Sequence, residues 1–308
     1  MLFCPEIKFC AFTSLTFNVT HAPKAALRWT CCLCTVGQVV HTLSEGEPVF
    51  GVTSLGDEVF VLRWKERDQV EVYDVITYRL LRCLAVSDNP RFRPMDMTSC
   101  EYHCCLYMAD FNISSISRLD LQGATIQWAV NDNPRGLSVN KAHNLLVTSA
   151  NVRKIKEFSS HGDLICVLTL PDDIISPWHA IQLTTGQFVV CHGGLVDQVH
   201  GVCLLSADCT HTDHAHCGQR GSDTGQYNVP IHLAVDDNEF VFVADLYNRR
   251  VTLLSPTLNY IRQVVSSDKL NWEPRYLYLD VQRRRLYVGE SERKDYKYTS
   301  GRVVVFSV

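Results

Sequence analysis

The sequence predicts an all-β fold, a single six-bladed β-propeller of four-stranded blades, on three observations over its 308 residues. A proline followed by an apolar strand recurs six times, each copy is followed by further short strands in one fixed order, and helical periodicity is nearly absent. The copies open at Pro48 (PVFGVTS), Pro94 (PMDMTS), Pro134 (PRGLSVN), Pro177 (PWHAIQL), Pro230 (PIHLAVD) and Pro274 (PRYLYLD), at spacings of 46, 40, 43, 53 and 44 residues. Four strands in about 45 residues is the period of a propeller blade.

The second strands read EVFVLRW, CLYMADF, NLLVTSA, QFVVCHG, EFVFVADL and RLYVGES. They are apolar on both faces, as a sheet held between two other sheets requires. Third strands follow as QVEVYDV, SISRLDL, RKIKEFS, GVCLLS, RVTLLS and RVVVFSV, with weaker fourth strands over 80–86, 164–170 and 260–265. The dipeptides Gly56-Asp57, Thr185-Gly186 and Asp236-Asp237 fall where turns are needed. The sixth copy stops after its third strand, and 36–44 (VGQVVHTLS) precedes the first anchor. That segment is expected to supply the missing outer strand, which closes the ring and removes an open edge. The ring then spans 34–308 as one domain, with residues 1–33 outside it.

Charge and composition narrow the function classes. With 29 Lys+Arg against 33 Asp+Glu the formal net charge is −4, which gives no bulk attraction for nucleic acid. No apolar run reaches the roughly 18 residues of a membrane helix, and Glu6 and Lys8 interrupt the apolar N-terminus. Cysteines crowd irregularly, as at Cys31, Cys32 and Cys34 and at Cys100, Cys104 and Cys105, a placement poorly suited to paired structural disulfides. A reduced, cytoplasmic setting is expected.

The fifth copy carries a more specific pattern. Residues 230–255 read PIHLAVDDNEFVFVADLYNRRVTLLS, which resembles an NHL repeat through Asp236, Asp245, Asn248 and Arg250. Asp245 and Arg250 are expected to pair across the tight turn and pin the second strand to the third. Other copies keep the frame with fewer of the polar residues: Asp110 and Asn112 in the second, Lys154 at the arginine position of the third, Glu290 and Arg302 in the sixth. The resemblance covers 36–308 in architecture and about one blade in motif. NHL propellers often form the C-terminal part of tripartite-motif proteins. The resemblance therefore implies recognition of a protein target or a single-stranded RNA, as the substrate-recognition part of a ubiquitin-ligase-type system. Ligase activity itself is not implied.

Propellers bind ligands on the rim formed by the blade-to-blade loops and the loops between second and third strands. The first set contributes Arg135, Trp178, His179, His232 and Arg275. The second contributes Trp64, Lys65, Arg67, Arg153, Lys154, His192, Tyr247, Arg249, Lys294, Tyr296, Lys297 and Tyr298. Three loops, 63–69, 192–201 and 290–302, are longer than a turn needs, and long loops on a rigid scaffold commonly carry function. The face is richer in cations and aromatics than the chain as a whole, which fits an acidic peptide, or stacked bases with phosphate contacts. The run Arg283-Arg284-Arg285 falls in the opposite turns and is expected to be solvated.

Cys203, Cys209, His211, His214, His216 and Cys217 are zinc-capable residue types, but they fall on a predicted outer edge strand and no metal is expected there. The residues directly after the anchors are Val49, Met95, Arg135, Trp178, Ile231 and Arg275, and none is His, Asp or Glu. His179 and His232 come one place later and are only two. The expected function is a non-catalytic scaffold that binds a protein or peptide partner, without cofactor. Single-stranded RNA is the alternative ligand, and a propeller lyase or lactonase the third reading. Neither DNA nor a membrane is an expected partner.

Overall fold

The structure is a computed structural model that describes residues 37–308 except 44, 65–68, 87–90 and 210–211, and except the side chains of 212–216. Residues 1–33, Lys65, Arg67 and His211 lie outside the described residues. Strand β1 (Val39–Thr42) precedes six repeats of an antiparallel meander. Blade 1 holds β2 (Val49–Leu55), β3 (Glu58–Arg63), β4 (Gln69–Asp74) and β5 (Leu80–Ala85); blade 2 holds β6 (Pro94–Cys100), β7 (Cys105–Asp110), β8 (Ser115–Asp120) and β9 (Thr125–Ala129). Blade 3 holds β10 (Gly136–Val139), β11 (Leu145–Ser149), β12 (Lys154–Phe158) and β13 (Leu164–Thr169). Blade 4 holds β14 (Pro177–Gln182), β15 (Phe188–His192), β16 (Gly201–Leu205) and β17 (Thr212–Cys217). Blade 5 holds β18 (Pro230–Val235), β19 (Val241–Asp245), β20 (Arg250–Leu254) and β21 (Tyr260–Val265). Blade 6 holds β22 (Glu273–Asp280), β23 (Arg285–Lys294) and β24 (Lys297–Ser307), and takes β1 as its fourth strand.

The expected closure is thus present as an antiparallel pair, with Val39 opposite Phe306 and Thr42 opposite Val304. β1 itself is exposed, but Leu43 just beyond it is 1% exposed and packs with Val303 and Val305. The core lies between blades. Val189, Cys191 and Val202 of blade 4 meet Leu233, Val241 and Val243 of blade 5, and Val52, Val59 and Val61 of blade 1 meet Tyr287, Val303 and Val305 across the closure. This is why the second strands are apolar on both faces: β3, β7, β15 and β19 are buried almost throughout. Two short 3-10 turns, Ala150–Val152 and Ser267–Lys269, are the only helical elements among the described residues, and no helix there is long and apolar enough to cross a membrane.

The Asp245–Arg250 pair forms as expected, Arg250 Nε donating to Asp245 Oδ2 at 2.8 Å. The arginine also donates to the Ser222, Asp223 and Gln226 carbonyls, tying the lead-in segment to the turn. Asn248 donates to Asp245 Oδ2, and Asp236 accepts the Asn238 and Phe240 N–H groups in the preceding turn. Burial pushes the Asp245 carboxyl up, while Asn248, the Asn228 N–H and Arg250 hold it down. The device recurs where the sequence motif has faded. In blade 6 Arg302 donates to Glu290, and in blade 1 the polarity is reversed, with Arg63 donating to Glu71 at 2.8 Å.

Several sequence expectations are corrected. The segment 290–302 is not a loop. It is the continuation of β23 and β24 as a hairpin, turning at Asp295 and Tyr296, both at positive φ. Trp178, His179, His232 and Arg275 lie in the innermost strands, not in blade-to-blade loops. Cys203 and Cys209 pack into one inter-blade core and Cys217 into another, so these thiols face opposite sides of the sheet. The nine described cysteines are all free thiols.

Two predictions follow from closure and pinning. A chain starting at Glu45 loses Leu43, worth about 3 kcal/mol, and the β1 ladder, worth about 2 kcal/mol. It should melt roughly 10 °C below a chain starting at Gly37, as measured by calorimetry. Asp245→Ala strands a buried guanidinium and should cost about 3 kcal/mol in urea unfolding; a loss below 1 kcal/mol would contradict the pinning role.

Candidate functional site

In blades 1, 2, 4, 5 and 6 the register of the innermost strand slips at the anchor. Val49, Pro94, Pro177, Pro230 and Pro274 pair with the end of the second strand, one residue is skipped, and pairing resumes at Gly51, Asp96, His179, His232 and Tyr276. Proline is tolerated there because the innermost strand has a ladder on one side only, and a bulge re-aims the extra side chain. The skipped residues Phe50, Met95, Trp178, Ile231 and Arg275, together with Arg135 of blade 3, all line one cavity of about 250 Å³ at the mouth of the channel. The residue after each forms a deeper layer, in which Gly136 takes the place of blade 3.

Arginine and aromatic side chains alternate around this mouth. Arg135 lies 4.3 Å from the Trp178 ring and 5.6 Å from Phe111, and Arg93 lies 5.6 Å from Phe111 and 5.7 Å from Trp64. Phe50 continues the series edge-on to both Trp64 and Tyr298, each at 5.2 Å. Tyr298 then carries Arg275 at 4.6 Å and Arg293 at 5.8 Å. The stack therefore runs through blades 4, 3, 2, 1 and 6, while blade 5 adds Ile231, Leu246 and Tyr247 to the lining. Stacking engages the guanidinium faces and leaves their in-plane N–H groups for a ligand. None of Arg93, Arg135, Arg275 and Arg293 has an ion-pair partner among the described residues, and the Nε atoms of the first three are buried without a hydrogen-bond partner. Burial pulls Arg135 down from the ordinary guanidinium range, opposed by the nearby phenols Tyr276 and Tyr298.

Below the mouth, Asp96 is 1% exposed and accepts the Met97 N–H on Oδ1 and the Leu137 N–H on Oδ2. His179 and His232 stack at 3.9 Å, and Asp96 Oδ2 lies 3.4 Å from His232 Nε2. His179 Nε2 donates to the Leu137 carbonyl at 2.9 Å. Burial, reinforced by His232, holds His179 well below the usual imidazole range. Burial, reinforced by Asp96, pushes the Tyr276 phenol up, and its hydroxyl donates to the Met95 carbonyl at 2.8 Å.

Of the residues singled out from sequence, Trp64, Arg135, Trp178, His232, Tyr247, Arg275 and Tyr298 gather at the mouth and His179 lies beneath them. Tyr296 is an exposed rim residue, 5.6 Å from Arg293. The others among the described residues do not line the cavity. His192 is buried, Arg153 pairs with Asp172, Lys154 starts β12, Arg249 is exposed in its turn, Lys294 pairs with Glu292, and Lys297 is exposed at the hairpin tip. Sequence reasoning missed Arg93, Phe111, Arg293, Phe50, Tyr276 and Asp96. Arg93 directly precedes an anchor proline and Asp96 stands two places after it, so both were reachable from the anchor. The Arg283 run lies at the opposite end of the channel, where Arg283 pairs with Asp57 and Asp280 beside Glu101 and Asp237.

No family model and no curated protein sequence matches the chain. Solved structures do. Virginiamycin B lyase from Staphylococcus aureus aligns at a TM-score of 0.59 and 9% identity, over 86% of this chain and 99% of that one. A streptogramin B lyase structure aligns at 0.59 and 11%, over 87% and 88%. Hydrazine synthase from Kuenenia stuttgartiensis aligns at 0.59 and 12%, over 85% and 97%. These likenesses show a shared six-bladed propeller fold.

Gly136 lets the inner strands meet under the mouth. A Cβ there would lie 2.4 Å from the Trp178 carbonyl oxygen and 2.8 Å from the His179 Cα. Gly136→Ala should therefore cost about 1–3 kcal/mol in urea unfolding, whereas Gly56→Ala at an open turn should be strained only by its positive φ and cost less.

Proposed function

We propose that this propeller is a non-catalytic recognition scaffold that takes an acidic segment of a protein partner into the channel mouth. The observation that carries this reading is the set of four arginines, held against aromatic rings and without ionic partners of their own among the described residues, converging on one small cavity. Guanidinium N–H groups in that arrangement suit carboxylates, and the aromatic walls supply apolar contact for the chain that carries them. A cavity of about 250 Å³ admits one side chain or chain end. It does not track a phosphate backbone, which favours a peptide over single-stranded RNA.

The test is fluorescence anisotropy with a labelled Glu-rich peptide, its Gln counterpart, and an oligo-uridine of similar length. The acidic peptide should bind and the Gln peptide should not. Arg135→Ala and Arg275→Ala should each weaken binding about 10-fold or more, the loss of one charged hydrogen-bonding group. Arg249→Ala, away from the cavity, should leave binding unchanged. Tighter binding of the oligonucleotide than of the peptide would overturn the reading.

A further inference from the structure

Asp96 and His232 line the floor of the cavity and His179 lies beside them, three groups that an acidic ligand at the mouth does not use. Asp96 of β6, His179 of β14 and His232 of β18 come from three blades, yet each stands at the same strand position, two residues after its anchor proline. One ligand-type atom from each falls within 4.8 Å of the other two. All three residues are buried, with 3% or less of the Asp96 and His179 side chains exposed and 11% of the His232 side chain. At the equivalent position blades 1 and 3 have Gly51 and Gly136, so no side chain from those blades intrudes.

The three groups are held in place, and each imidazole keeps one nitrogen without a hydrogen-bond partner. His179 Nε2 lies 3.9 Å from Asp96 Oδ2 and gives its proton to the Leu137 carbonyl, a bond that an ion on Nε2 would replace, while Nδ1 is buried without a hydrogen-bond partner and would take the proton. His232 Nε2 is likewise buried without a hydrogen-bond partner. It lies 3.4 Å from Asp96 Oδ2, and two donors bonded at about 2.1 Å to one tetrahedral ion stand roughly 3.4 Å apart. The carboxylate is aimed by the Met97 and Leu137 N–H groups. On the far side of His232, Nδ1 accepts the Leu277 N–H at 3.4 Å, which leaves the ring proton on Nε2; moving that proton to Nδ1, so that Nε2 can bind an ion, gives up this long contact.

We propose that Asp96, His179 and His232 form a binding site for a divalent first-row transition metal, with its remaining coordination position open to the cavity. Two imidazoles and one carboxylate suit zinc and its neighbours, and disfavour calcium or magnesium, which prefer all-oxygen sites. The proposal does not depend on the acidic-segment reading, since it uses none of the mouth arginines.

The experiment uses the full chain, stripped with a chelator and titrated with zinc by calorimetry and with cobalt by visible absorption. The expected result is one equivalent taken up with a nitrogen–oxygen cobalt spectrum that lacks a thiolate charge-transfer band. That equivalent, and the zinc-dependent rise in melting temperature, should vanish in Asp96→Asn, His179→Asn and His232→Asn. Ions captured by cysteines elsewhere would keep their thiolate band and survive all three substitutions. Equal stoichiometry in the parent and in folded variants would overturn the proposal. Should the variants fail to fold, absence of the nitrogen–oxygen cobalt spectrum in the parent would overturn it alone.

Discussion

The innermost strand of every blade forms a ladder on one side only, and the other edge faces the channel axis. Its N–H and C=O groups still require partners. Side chains of other blades supply them: Asp96 takes the Leu137 N–H, His179 the Leu137 carbonyl, His232 the Leu277 N–H, and Tyr276 reaches the Met95 carbonyl. Ser138 and Ser99 do the same, donating to Ala180 and Ser54 carbonyls. Each such bond is worth about 1 kcal/mol, far less than the apolar faces buried between blades. Their effect is therefore on geometry more than on bulk stability, and they set how one inner strand is placed against the next. The polar floor of the cavity is a by-product of that requirement, since the groups that satisfy the edge are the ones that line its depth.

The mouth follows from the same edge. With no ladder on the axial side, a proline can open the strand and a bulge can follow it, and in five blades the bulge turns one side chain toward the axis. What occupies those positions is unrelated in chemistry: Phe50, Met95, Trp178, Ile231 and Arg275. The scaffold repeats while its lining does not. Aromatic neighbours then hold the arginines in place, which lowers the conformational cost of presenting long cationic side chains. Charge is also divided along the axis, with arginines at the mouth and Asp57, Glu101, Asp237 and Asp280 around the other end.

The ring, the strand order and the closing strand were legible because they are written in the spacing of proline and apolar residues, which burial between blades enforces. The fourth strands at 80–86, 164–170 and 260–265 were legible from their place in the repeat and their β-forming residues, despite their exposure. The bulge was not, because a one-residue slip leaves no compositional trace. Stopping at the residue directly after each proline therefore passed over Asp96, and two histidines looked like an incomplete set. Likewise, nothing in a turn's sequence separates Tyr247, which lines the cavity, from Arg249, which is exposed two residues on. Polarity misled at 290–302, where cross-strand contacts such as Arg302 with Glu290 support a ladder that composition alone reads as a loop.

The antiparallel register of β1 on β24 has a mechanical corollary. The chain before Val39 and the chain after Ser307 leave the ladder at the same end, where the Gly37 N–H meets the Ser307 carbonyl and the Ser307 N–H meets the Gln38 carbonyl. Tension applied through these two flanks loads that outermost pair of bonds first and peels the ladder rung by rung, instead of shearing every rung together. Under such a pull the seam in the sixth blade is the weak point, and the ring parts there while the other five sheets are still intact.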